Sequence, residues 1–242
     1  MATDHNPGYR LHKLLKSGPH NGTDKIQAIV AFGQILNVPE NDTQMLLVRV
    51  SEMLALPAEI KKRVEIIENV DRELYLGWYK KAEHGICNLN LRGHWKTFMD
   101  SFPPESVTSI EFCGHLIAQH FPEKLIEQKN LDELLAQVDD LLHSLEDVEL
   151  PSSDWYFIYH HLVKVRETIV RYSTTGLPGI DDAYSEAVGA ICLAPGARKK
   201  LATTTSWRKL LKVLNAVGLA LSIYGGTSQL THDIGSLLGD DS

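Results

Sequence analysis

NLDELLAQVDDLLHSLE, residues 130–146, carries the most regular apolar pattern in the chain. Leu131, Leu134, Leu135, Val138, Leu141, Leu142 and Leu145 recur every three or four positions, so they share one face of a helix. Asp132, Glu133, Asp139 and Asp140 fall on the opposite face. A strand would alternate every second residue, and this stretch does not. The spacing therefore predicts a helix with one face against a core and one in water.

The same period extends in both directions. Toward the C-terminus, Pro151, Ser152 and Ser153 introduce a helix in which Trp155, Ile158, Leu162, Val165, Ile169 and Tyr172 form a heptad-like seam. Gly176, Pro178 and Gly179 predict a turn over 173–179. Helices over 180–193 and 207–224 follow, the second ended by Gly225-Gly226. Toward the N-terminus, a helix over 105–120 is expected. The stretch 85–104 is the least regular, punctuated by Gly85, Asn88, Asn90, Gly93 and Pro103-Pro104. Before it, Pro57 suits the first turn of a helix carrying Ile60, Val64, Ile67, Val70 and Leu74, which is expected to run toward Glu83. A helix over 42–54 precedes that one. Thr23 and Asp24 can cap the first, with Ile26, Ile29, Val30, Ala31 and Ile35 on its buried side. The expectation is an all-α bundle of about eight or nine helices, with a hydrophobic helix near the C-terminus. It forms a single domain over 1–242, with a candidate subdomain boundary within 85–104.

The 242 residues are 43% hydrophobic and 23% charged, with a net charge of −7. That balance suits an ordinary globular core and gives no strong nucleic-acid signal, which would need a basic surface. Cys87, Cys113 and Cys192 are odd in number and far apart, which predicts free thiols rather than a disulfide framework. Residues 1–8 are polar, and no stretch reaches the roughly 18 consecutive apolar residues of a clear membrane span. The expected location is the cytoplasm.

Chemical motifs are sparse. His84, Cys87 and His94 lack the second close pair that a zinc site needs. Glu111 and His115 share a helix face at a four-residue spacing, whereas His120 lies about 140° around. His160 and His161 are adjacent and diverge. Asp182 and Glu186 share a helix face at a four-residue spacing, and Asp181 and Asp182 sit at a helix start, where negative charge is favourable without any ligand. No nucleophile elbow or phosphate-binding glycine loop is present. None of the nine arginines precedes a histidine at the spacing used by helical RNA-cleaving domains. No catalytic residue, metal ligand or cofactor is expected.

What remains is a surface. Arg198, Lys199, Lys200, Arg208, Lys209 and Lys212 concentrate positive charge, and residues 213–231 carry none. Arg208, Lys212, Asn215, Gly218 and Ser222 form a narrow polar or small stripe on a helix that is otherwise apolar apart from Lys209. Gly218 and Ser222 form a small-x-x-x-small pair that permits close helix approach. The candidate interaction residues are Trp207, Arg208, Lys209, Lys212, Gly218 and Ser222. The expected partner is another protein or a second copy of the chain, and an anionic membrane surface would also suit the basic end. The expected function is non-enzymatic binding or assembly through helix surfaces. The alternatives are an intracellular membrane-acting effector, as in bacterial conflict or phage defence, and a divergent helical nuclease or other enzyme.

Overall fold

A computed structural model describes residues 5–19, 25–146, 152–192 and 205–224. Side chains at 146, 152–154, 157, 191–192, 205–212 and 222 lie outside the described set. The regular elements among the described residues are all helices, with an isolated bridge between Gln27 and His94 and no strand. The chain divides into two compact units, Met1–Pro122 and Glu123–Ser242. The stretch 85–104, the candidate boundary in the sequence, lies inside the first unit and contributes Trp95, Phe98 and Phe102 to its core.

The first unit holds α1 (Pro7–Lys16), α2 (Ala28–Leu36), α3 (Thr43–Glu65), α4 (Arg72–Leu76), α5 (Tyr79–Cys87), α6 (Trp95–Met99) and α7 (Pro104–His120). The sequence pattern did not predict α1. Its start is set by Asn6, whose side chain accepts the Gly8 and Tyr9 backbone N–H groups, and by Pro7 in the first turn. Leu11, Leu14 and Leu15 face inward at helical spacing. The Asn6 amide also donates to the Gly114 carbonyl at 2.9 Å, tying α1 to α7. The two helices meet glycine to glycine, and a Cβ at Gly8 would lie 2.6 Å from Gly114 Cα and N.

Three expectations in this unit differ from the structure: the buried side of α2, a helix start at Pro57 and its run to Glu83. The caps predicted at Thr23 and Asp24 lie outside the described residues. The N-terminus of α2 is instead closed by backbone. The Ala28 and Ile29 N–H groups donate to the carbonyls of Gly93 and Leu91 at 2.8 Å each. This docking turns Ala28, Ala31, Phe32 and Leu36 inward and leaves Val30 exposed. Pro57 does not begin a helix either. It sits inside a continuous α3, capped by Asp42 at 2.9 Å from the Met45 N–H. An internal proline removes one hydrogen bond at a cost of about 3 kcal/mol. Burial of Val50, Met53, Leu56, Ile60 and Val64 along the same face offsets that cost. The predicted run to Glu83 is broken where Asn69 adopts a left-handed φ of 58° and Asp71 caps α4.

The second unit holds α8 (Gln128–Glu146), α9 (Ser152–Val170), α10 (Tyr172–Cys192) and α11 (Thr205–Tyr224). The leucine face of α8 is buried as its period predicts, with Leu135 only partly so. It packs with the seam of α9, where Ile158, Leu162, Val165 and Ile169 point inward. Polar ties fix the helices. Trp155 Nε1 donates to the Leu145 carbonyl, the Asn130 amide donates to the Tyr224 hydroxyl, and the Ile126 N–H donates to the Tyr172 hydroxyl. The turn expected over 173–179 is compressed to one residue. Gly176, at φ 66° and ψ −166°, kinks an otherwise continuous α10 in a conformation that side chains disfavour.

Candidate functional site

α11 carries the residues that the sequence singles out. Its inner face, Val213, Leu214, Val217 and Leu221, joins the core of the second unit. Gly218 is buried at the edge of that face, so it does not belong to a solvent stripe with Asn215. Trp207, Arg208, Lys209, Lys212 and Ser222 belong to the helix, but their side chains lie outside the described set, as do Arg198, Lys199 and Lys200. The outward stripe is Asn215, Leu219 and Ile223, one turn apart, with Leu219 61% and Ile223 53% exposed. At 100° per residue, 219 and 223 advance away from the buried edge whereas 218 steps back toward it. The helix is therefore one-sided rather than enclosed all round. At its C-terminal end the Lys124 ammonium donates to the Ile223 carbonyl at 3.3 Å, a favourable place for a cation. Among the described residues no helix is long and apolar enough to cross a membrane.

A second constellation follows from the glycine crossing of α1 and α7. With the helix axes so close, Tyr9 and His12 on α1 meet His115 and Glu111 on α7. The Tyr9 hydroxyl lies 2.7 Å from His115 Nδ1. His12 Nε2 lies 3.4 Å from Glu111 Oε2, an ion-pair distance without hydrogen-bond alignment. Burial holds the His12 imidazole below its ordinary pKa of 6.5, and Lys16 and His115 push the same way. Glu111 pulls in the opposite direction and is outweighed. Glu111 and His115 were visible in the sequence as one helix face. Tyr9 and His12 were not, although Asn6-Pro7 followed by Leu11, Leu14 and Leu15 is a legible helix start.

The second unit has a related pair between α9 and α10. His161 Nδ1 stands 3.8 Å from Glu186 Oε1, and the Lys164 ammonium donates to the same carboxylate at 2.7 Å. Burial lowers the His161 pKa against the pull of Glu186. Lys164 holds the Glu186 carboxyl below the usual carboxylate range. Among the described residues no three histidine, cysteine or acidic side chains converge as a metal cage. Cys87 is exposed. Cys113 is buried, donates to the Tyr75 carbonyl at 3.1 Å, and has its thiol pushed up to about 11 by burial, which leaves little thiolate to react.

These two histidines set a pH dependence. Each resists protonation in the folded state, so between its folded pKa and 6.5 the unfolded chain binds more protons. Stability is held above that window and is lost as pH falls through it. Urea midpoints should therefore drop from about pH 7.5 to about pH 5.5, and less so in a His12→Gln, His161→Gln double variant. Equal drops in both proteins would remove these histidines as the cause.

Compared with known proteins, the chain matches no family model, no curated protein and no solved structure.

Proposed function

We propose that this protein is a non-enzymatic helical binding and assembly protein, and that the outer face of α11 pairs with the same face of a second copy. The observation that carries this is the exposure of Leu219 and Ile223 one turn apart, beside Asn215, on a helix segment without formal charge. Large apolar side chains grouped on a surface favour burial against a partner. The chain's net charge of −7 makes two copies repel. An uncharged stripe is the kind of contact that adds nothing to that repulsion, and a two-fold axis would lay each stripe on its equivalent.

Light scattering on the eluting full chain tests this reading. A dimer is expected, and a Leu219→Lys, Ile223→Lys variant should run as a folded monomer with the wild-type helical circular dichroism, because both side chains are exposed on α11. A monomeric wild type, or a dimer indifferent to the two lysines, overturns it. Sedimentation with anionic vesicles that depends on Leu219 would instead favour the membrane-surface alternative, in which the basic end of α11 meets headgroups.

A further inference from the structure

The end of α5, the loop over 88–94 and α6 border an open cavity of about 380 Å³ in the first unit. Small-molecule sites run from roughly 300 to 1,000 Å³, so this one suits a small occupant. His84, Asn88, Asn90, His94, Thr97 and Ser101 supply its polar wall, and Phe98 contributes an apolar part. No carboxylate and no amine lines it.

Two of the wall's hydrogen bonds shape the loop. The Asn88 amide donates to the His84 carbonyl at 2.8 Å, and the Asn90 side-chain oxygen accepts the Arg92 N–H at 3.0 Å. That leaves the Asn90 amide NH₂ free to donate. The His94 imidazole and the Thr97 and Ser101 hydroxyls have no side-chain hydrogen bond among the described residues. Gly85 lets Ser101 pack closely against α5, because a Cβ there would collide with the Ser101 side chain.

The charge of the segment that carries this wall is the second observation. Residues 80–101, which carry the whole wall, contain Lys80, Lys81, Arg92 and Lys96 against Glu83 and Asp100, four cations to two carboxylates and so a net +2, within a chain of net −7. A net positive segment carrying a carboxylate-free wall of donors favours an oxyanion over a cation. Donors on four separate side chains suit the three oxygens of a phosphate ester better than the two of a planar carboxylate. We propose that this cavity binds a small phosphate-bearing molecule. Its oxygens accept from Thr97, Ser101, Asn90 and His94, and the rest of the molecule lies against Phe98.

The test titrates inorganic phosphate into the full chain and follows backbone amide shifts. A saturable response confined to residues 84–101 is expected. The pair Thr97→Val, Ser101→Ala should weaken it roughly tenfold or more, since each hydroxyl donates to a charged acceptor. Thr97→Val alone, at an exposed position, should weaken it several-fold and serves if the double variant folds poorly. A response that does not saturate, that spreads over the basic surface, or that survives both variants overturns the site. Acetate binding as tightly as phosphate overturns the assignment to phosphate.

Discussion

Leu141→Ala is expected to lower stability by about 2–5 kcal/mol, the range for emptying a well-packed leucine site. Leu141 is 1% exposed on α8 and lies in the core that α8 shares with α9, α10 and α11. Alanine removes three carbons' worth of transfer free energy and leaves a cavity that the three flanking helices cannot all collapse into. Domains are stable by only about 5–15 kcal/mol, so the loss is a large fraction of the total. Asp140→Ala provides the comparison, because its side chain is exposed on the same helix turn and its replacement should stay within about 0.5 kcal/mol. Equal urea midpoints for the two variants would mean that the leucine face of α8 is not the core of this unit.

α8 and α9 were legible because each buries one face against several neighbours, and period alone then decides which face. α2 was legible as a helix but not in its orientation. Its buried side is set by backbone hydrogen bonds to residues 91–93, which are distant in sequence. Pro57 misled because the rule for prolines describes local cost, and here five buried side chains outweigh it. The unit boundary at 122/123 left no trace in composition, whereas the irregular stretch 85–104 proved to be a packed corner of one unit. The candidate surface was legible as a helix whose segment from 213 on carries no charge. Its outward residues were not, because Leu219 and Ile223 are apolar, and apolar residues on a core helix read as inward. The cavity by α6 was invisible for a different reason. Its wall is drawn from side chains that the sequence scatters over 84–101, and only the loop's docking on α2 gathers them.

Gly8→Ala should be as damaging to the first unit as Leu141→Ala is to the second, although it adds one methyl group and removes nothing. The new Cβ would stand 2.6 Å from Gly114 Cα and N, well inside contact distance. The obstacle is backbone, so no rotamer change relieves it, and α1 must move away from α7. That movement strains the buried Asn6, which holds the Gly114 carbonyl at 2.9 Å and caps α1 with the same side chain. Overpacking of this kind costs roughly 1–3 kcal/mol and more when the backbone is held, as it is here from both sides. Gly33→Ala separates this effect from the general consequence of placing alanine for glycine. Gly33 lies within α2, and a Cβ there would meet nothing closer than 3.7 Å, so the change should stabilise by roughly 0.5–1 kcal/mol. Opposite signs for the two variants are the expected result, and a neutral Gly8→Ala would mean that the helices do not cross glycine to glycine. The same variant reports on the site beside the crossing. If α1 lifts from α7, water reaches His12 and its burial, the main cause of its low pKa, is relieved. Its imidazole should then titrate closer to 6.5 by NMR, a shift that loss of stability elsewhere in the unit would not produce.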